Sequence, residues 1–184
     1  MPHSFTTTTN RSALVAHSVW LWFDDGSMLI IGNFGLSYTQ SKAQMGLWSI
    51  MAAPLLMGND LRNLDPKMKQ ILTAKEVIAV DQDVLGKQGY RVYQSKDFCT
   101  GHDVWMKPLS GGDIAVALWN RGVCGTHSLL TLNWTMISLP PAQPMAVRDL
   151  FEEKELGVHR TQYTGWVDID DVLMLRLSRP SPEI

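Results

Sequence analysis

The sequence predicts an α/β segment followed by an all-β antiparallel sandwich, because the period of its apolar residues changes near residue 89. Before that point apolar residues recur at helical spacing between short apolar runs, and after it they alternate with a period of two. With 184 residues, 45% of them hydrophobic and 18% charged, the chain can bury a sizeable core. We expect a soluble, globular chain with one domain or two small ones.

The first part shows the order strand, helix, strand, helix. Met28–Ile31 and Ala52–Met57 are short apolar runs, typical of buried parallel strands. Between them, Ser37 and Gln40 have the spacing of a capping box and open an amphipathic helix of about 14 residues. Such alternation indicates a β/α barrel or an open α/β sheet. The predicted buried face of the helix contains Ala43, Leu47, Ile50 and Met51.

Two shorter helices are predicted before the period changes. Asp65 is placed to cap a helix that begins at Pro66. Thr73 and Glu76 have the spacing of a second capping box. The stretch from Gly86 to Gly89 follows, and we predict the domain boundary there.

Short alternating stretches then follow one another, separated by clusters of Gly, Pro, Ser and Asp. Strands at this spacing are typical of an antiparallel sandwich. The predicted strands are Tyr90–Gln94, Val104–Pro108, Ile114–Trp119, Leu129–Trp134, Met145–Leu150 and Val172–Leu177.

Charge and hydropathy exclude two classes of partner. The net charge is -2 and the basic residues are scattered, so we predict no nucleic-acid partner. No apolar run approaches the roughly 20 residues of a membrane span. The apolar stretch Ala13–Phe23 lacks the flanks of a signal peptide. Asn10 and Asn133 each begin the acceptor pattern for N-linked glycans, a three-residue pattern that also arises by chance.

Two Cys-x2-His pairs have the spacing of zinc ligands: Cys99 with His102, and Cys124 with His127. The hairpin turn Ser110–Asp113 lies between them, so facing residues have numbers that sum to about 223. The cysteines meet that condition, but the histidines would lie roughly 20 Å apart. We therefore predict no metal site and a Cys99–Cys124 disulfide, with two free thiols as the alternative if a bulge shifts the register.

No acidic pair in this sequence is expected to be catalytic. Asp24 and Asp25 are adjacent and point to opposite faces of an extended segment. Asp168 and Asp170 share a strand face but lie at the end of a solvated strand. The loop Asn59–Arg62 is interpreted as held by a salt bridge. Trp105, Trp119 and Trp134 are expected in the core, whereas an exposed row of rings would indicate a carbohydrate-binding module.

Several blocks, in order and without gaps from about Phe23 to Tyr90, resemble the α-galactosidase and α-N-acetylgalactosaminidase family. They are Met28–Ser37, Gln44–Met45, Leu47–Trp48, Ala52–Leu55, Asn59–Arg62 and Gln82–Gly89. Trp105, Pro108–Gly111, Asn120–Gly122 and Arg148–Leu150 are similar to the sandwich that follows the barrel in this family. The resemblance implies three regions: residues 1–22, unmatched; 23–89, the C-terminal part of a (β/α)8 TIM barrel; and 90–184, the β-sandwich.

The family resemblance implies a retaining glycosidase that hydrolyses terminal α-linked galactose with two aspartates and no cofactor. Both aspartates belong to earlier barrel strands and have no counterpart here, so we expect the chain alone to be inactive. Met28 keeps its position in the sugar pocket, while Ser27 replaces an aspartate that binds substrate. The resemblance also implies a lysosomal or secreted enzyme and allows a homodimer. It leaves open whether the substrate is an α-galactoside or an α-N-acetylgalactosaminide.

A noncatalytic sandwich that binds a glycan or a partner chain is the alternative function. We also expect residues 90–179 to fold alone and residues 1–88 to be mobile or prone to aggregation. The reason is that the helix face of Leu47, Ile50 and Met51 would lose most of its cover outside a complete barrel.

Overall fold

The structure, a computed structural model, describes residues 28–125 and 127–180. Its first part contains three helices: α1 (Tyr38–Met51), α2 (Pro66–Leu72) and α3 (Lys75–Asp81). Eight strands follow: β1 (Tyr90–Gln94), β2 (His102–Pro108), β3 (Ile114–Asn120), β4 (His127–Asn133), β5 (Met145–Asp149), β6 (Lys154–His159), β7 (Gln162–Asp168) and β8 (Val172–Ser178). The change from helices to strands falls between Asp81 and Tyr90.

Side-chain caps fix the starts of the first two helices. The Ser37 hydroxyl accepts from the Gln40 amide at 3.1 Å, and the Gln40 side chain accepts from the Ser37 amide at 3.0 Å, which confirms the capping box. Asp65 accepts from the Lys67 amide at 2.7 Å and caps α2, as predicted.

The second predicted capping box is wrong. Ala74, and not Thr73, precedes the first turn of α3 and makes no side-chain cap. The Thr73 hydroxyl instead donates to the Lys69 carbonyl of the preceding helix at 2.8 Å. Glu76 is engaged elsewhere, because its carboxylate accepts two hydrogen bonds from Arg148 of β5, at 2.6 and 2.8 Å.

The two apolar runs before the sandwich form a single parallel bridge, Leu29 to Met57, instead of two strands. Leu29 donates to the Leu56 carbonyl at 2.7 Å, and Gly58 donates to the Leu29 carbonyl at 2.8 Å. Two local features limit the ladder. Pro54 has no N–H to donate, and the Asn33 amide turns back to the Ile30 carbonyl.

The eight strands form two antiparallel sheets. One has six strands in the order β1-β2-β3-β8-β5-β6, and the other pairs β4 with β7. The predicted sandwich is therefore confirmed. Sequence analysis missed β6 and β7: most side chains of the edge strand β6 are exposed, and β7 contains Gly165, so neither shows a clear apolar alternation.

Both faces of the six-stranded sheet are buried. Val104, Val116 and Leu175 pack against the two-stranded sheet. Their chain neighbours Trp105 and Ala117 point to the opposite face and pack against the helices. The molecule therefore has three layers, with the six-stranded sheet in the middle.

The expectation that α1 loses its cover is wrong. Leu47 and Ile50 are completely buried and Met51 is 6% exposed. Their cluster includes Ala115 and Met174 of the six-stranded sheet. The sheet itself covers the helix, because its second face is apolar and needs a partner of its own.

Lys107 of β2 joins the sheet to the ends of two helices. Its side chain is completely buried, and its ammonium donates to the carbonyls of Val80 at 2.6 Å, Asp81 at 3.2 Å and Ser49 at 3.3 Å. These carbonyls belong to the last turns of α3 and α1, where a positive charge is favourable. Burial lowers the pKa of the Lys107 ammonium, against the attraction of Asp81 and Asp83.

Cys99 and Cys124 form the predicted disulfide, with their Cα atoms 4.5 Å apart. The strand register differs by one from the predicted sum, since His102 faces Asn120. The sum is 223 at the cysteines. Nearby, Gly122 lies against the Cys99 carbonyl, where a side chain would collide. Asp97 holds the loop by accepting from the amides of Cys99 and Thr100, at 2.7 and 2.9 Å.

Lys107→Met should lower the free energy of unfolding by roughly 2–3 kcal/mol, because two buried carbonyls and one partly buried carbonyl lose a charged donor. Urea denaturation would measure the change, with Lys154→Met as the control at an exposed position of β6. A loss no larger than that of the control would show that the buried ammonium does not join the layers.

Replacing both cysteines by serine should cost about 3 kcal/mol in the chain-entropy account of a loop with a sequence separation of 25. Reduced wild-type protein should then unfold at the same urea concentration as the double variant. Equal stability of oxidised and reduced wild-type chains would contradict this prediction.

Candidate functional site

The candidate site is the edge where the Met28 and Met57 segments lie side by side. The bridge between Leu29 and Met57 places Met28 beside Gly58, where an added side chain would lie 3.1 Å from the Met28 sulfur and Cβ. Met28 is 37% exposed, whereas Leu29 is 1% exposed. The Met28 side chain is therefore accessible to solvent, while the next residue, Leu29, anchors the segment in the core.

Gln44 of α1 holds the backbone of this edge from the buried side. Its side chain is 1% exposed, accepts from the Ile30 amide at 3.1 Å and donates to the Met28 carbonyl at 3.5 Å. A buried amide satisfied by backbone groups orders both partners. Sequence analysis assigned Gln44 no role, although a glutamine on the buried face of an amphipathic helix is the signal that could have revealed it.

The segment after Met57 carries the polar groups of the site. Asn33 donates to the Gly58 carbonyl at 3.2 Å. Both polar atoms of the Asn59 side chain are buried and have no hydrogen-bond partner within residues 28–125 and 127–180. Asp60 and Arg62 form the predicted salt bridge, with the closest nitrogen and oxygen 2.7 Å apart. Hydrogen bonding to Arg62 lowers the pKa of the Asp60 carboxyl.

The other acidic candidates do not form a pair at this edge. Asp24, Asp25 and the predicted pocket residue Ser27 lie outside the described residues. Asp168 ends β7, and Asp170 lies in the following turn with a φ of 58°, so the expectation that the two share a strand face is wrong. The Asp170 carboxylate accepts from Gln40 at 3.1 Å and thereby holds the start of α1.

The cysteines and histidines of the two Cys-x2-His pairs make contacts other than metal binding. Both sulfurs are used in the disulfide. The His102 ring lies 5.3 Å from the ring of Tyr93, and the His127 ring 5.0 Å from that of Trp166. Within the described part of the chain, no three His, Cys, Asp or Glu side chains cluster as metal ligands would.

Two family models match the chain in succession. The model described as "Alpha galactosidase A" matches residues 4–83, and the one described as "Alpha galactosidase C-terminal beta sandwich domain" matches residues 99–177. The chain belongs to the α-galactosidase family. The first match begins within the segment 1–22 for which the motifs gave no resemblance.

Relatives in the α-galactosidase family agree with this assignment. Human "Alpha-galactosidase A" is 53% identical over 103 residues, which are 56% of this chain and 23% of that protein. Chicken "Alpha-N-acetylgalactosaminidase" is 48% identical over 153 residues, 83% of this chain and 37% of that protein. The chain thus spans about a quarter to two fifths of the length of these relatives.

A solved α-galactosidase has the same fold. The crystal structure of α-galactosidase I from Mortierella vinacea superposes with a TM-score of 0.76 at 28% identity, covering 84% of this chain and 40% of that one.

Among the helices of the described residues, none is long and apolar enough to cross a membrane.

Gln44→Ala should release the Met28 edge, because the Ile30 amide loses its acceptor and a buried side chain leaves a gap. We expect exchange of the Ile30 amide to become roughly ten-fold faster, as for a local opening made easier by about 1.4 kcal/mol. Hydrogen exchange followed by NMR measures this. Gln88→Ala, at an exposed position, is the control, and equal exchange at Ile30 in both variants would contradict the role of Gln44.

Proposed function

We propose that this chain forms the end of the barrel and the β-sandwich of a retaining α-galactosidase that hydrolyses terminal α-linked galactose. The observation that supports the proposal is the exposed Met28, whose backbone is held by a hydrogen bond from Gln44. In the family, the residue at this position lines the sugar pocket. The carboxylates that cleave the glycosidic bond belong to other barrel strands, so this chain contributes one wall of the pocket and its support.

Met28 and Ser27 have different roles in the proposed pocket. The Met28 thioether offers an apolar, polarizable surface to the C–H face of a sugar. Ser27 offers one hydroxyl where the family has a carboxylate, which could accept two charge-assisted hydrogen bonds from sugar hydroxyls. We therefore expect weaker substrate binding at Ser27 than in relatives that keep the aspartate.

The proposed enzyme is lysosomal or secreted. The Cys99–Cys124 disulfide supports this, because such bonds persist in oxidising compartments and are rare in the cytosol. For the whole enzyme we propose the homodimer of the family, which sedimentation velocity would test.

The alternative of a glycan-binding sandwich requires a row of exposed rings. Trp105 and Trp134 are buried, which confirms their predicted place in the core, and Trp119 is half-buried. Trp166 is the one exposed tryptophan among those described. A single ring does not form a row, so the hydrolase remains the better supported proposal.

The purified chain should release no product from a chromogenic α-galactoside above the blank, because binding without a nucleophile and an acid does not lower the barrier to cleavage. Turnover that survives repurification and disappears when a residue of this chain is mutated would contradict the proposal.

A chimera tests the pocket directly. Replacing the matching segment of the human relative with this chain should preserve hydrolysis of the α-galactoside. Ser27→Asp in the chimera should then raise kcat/KM by about ten-fold, the effect of one additional charge-assisted hydrogen bond.

Met28→Ala in the same chimera should lower kcat/KM, and Val84→Ala, at an exposed residue outside the site, is the control. A folded chimera in which neither Ser27→Asp nor Met28→Ala changes kcat/KM would overturn the proposed roles.

A further inference from the structure

The segment around Met57 has one satisfied edge and one open edge. Toward Leu29, the Leu56 carbonyl and the Gly58 amide make the two hydrogen bonds of the parallel bridge, and the Gly58 carbonyl accepts from the Asn33 side chain at 3.2 Å. The Met57 N–H and C=O lie between these groups and make no hydrogen bond to any described residue. In a parallel ladder they point to the opposite side, so this edge is free to pair with another strand.

Asn59 follows this segment and carries the unsatisfied polar group of the edge. Both polar atoms of its amide are buried, yet neither has a hydrogen-bond partner among the described residues. The loop then turns at Asp60, whose carboxylate accepts from the Arg62 amide at 3.0 Å. A buried amide without partners is costly, and folded proteins rarely keep one. The Asn59 amide therefore points to a partner outside the described residues.

We propose that Asn59 is a positioning residue, whose amide binds a peptide group of the barrel strand that pairs with the open edge of Met57. A side-chain amide offers a donor and an acceptor side by side, and a backbone strand offers the complementary C=O and N–H. The chain spans about a quarter to two fifths of the length of its relatives, so most barrel strands belong to the rest of the enzyme. The inference rests on the proposed function, because it requires the complete barrel.

The Asn59 contact positions the Met28 edge relative to the next strand. At Gly58 an added side chain would lie 3.1 Å from the Met28 sulfur and Cβ, so the two segments are closely packed. A shift of Asn59 is passed to Met28 through this contact and through the bridge between Met57 and Leu29. Asn59 thereby holds the edge on the side opposite to its hydrogen bonds with the Met28 segment.

One substitution should have opposite effects in the isolated chain and in the chimera with the human relative. Asn59→Leu keeps the branched shape and removes the amide. In the isolated chain that amide has no partner, so the urea midpoint should stay the same or rise. In the chimera the amide is satisfied by the neighbouring strand, so the melting temperature should fall by about 2 °C or more. Asn63→Leu, at an exposed residue of the same loop, is the control and should change neither value.

Kinetics of the chimera separate positioning from a loss of fold. Well below the melting temperature, Asn59→Leu should raise KM for a chromogenic α-galactoside by about five-fold and leave kcat within about two-fold. The reason is that the substitution moves the wall that binds the sugar and leaves the carboxylates that cleave the bond in place. Asn59→Gln keeps a donor and an acceptor, and it should recover part of the KM.

Two results would overturn the role of Asn59. A lower urea midpoint for the isolated Asn59→Leu chain would show that the amide already has a partner, such as a buried water. A chimera in which Asn59→Leu and Asn63→Leu have the same melting temperature and the same KM would show that no strand contact depends on the amide. An unfolded or inactive chimera without these substitutions would instead count against the proposed function, and the isolated chain would still test whether the amide lacks a partner.

Discussion

The structure depends on one constraint: the six-stranded sheet has two apolar faces, and each must be covered. The β4–β7 sheet covers one face, and helix α1 with its neighbours covers the other. Lys107 lies on the helical side and satisfies helix-end carbonyls that would otherwise be buried without donors. The six-stranded sheet therefore joins two regions that differ in the spacing of their apolar residues, the helical region before residue 89 and the strands after it. The junction itself is packed, because Gly89 donates to the Ile50 carbonyl at 2.8 Å and a side chain there would meet that oxygen at 2.6 Å.

The elements that local rules control were predictable. Capping by Ser37 and Asp65 depends on residues two or three positions away. The mostly apolar sequences of β2, β3 and β8 reflect burial of both faces of their sheet. The disulfide followed from hairpin register, which was correct to within one residue. Cover for α1 was not predictable, since it comes from residues 60 or more positions away, such as Ala115 and Met174. Edge strand β6 lacked the apolar pattern because most of it faces solvent.

The contacts around Met28 were predictable only in part. Family resemblance indicated Met28, but its support lies in Gln44, whose polar side chain on a buried helix face was a signal, while its two backbone partners, 14 and 16 residues away, were not predictable. The salt bridge between Asp60 and Arg62 was predictable because the residues are neighbours in one loop. The unpaired amide of Asn59 was not, because burial of a loop side chain depends on the packing around it. A buried amide without partners is costly, which makes Asn59 a position where a neighbouring barrel strand would be stabilising.

The sandwich influences the Met28 edge through the position of α1. At Gly46 the helix approaches the sheet so closely that an added Cβ would lie 3.0 Å from Val172 and 3.5 Å from the Met174 sulfur. Gln44 is two residues away on the same helix, so its reach to Met28 and Ile30 is set by that close approach. A larger side chain at residue 46 would move the helix away from the sheet and shift the Gln44 amide with it. The β-sandwich therefore sets the geometry of the Met28 edge without supplying a residue to it, which gives a physical reason for barrel end and sandwich to occur together.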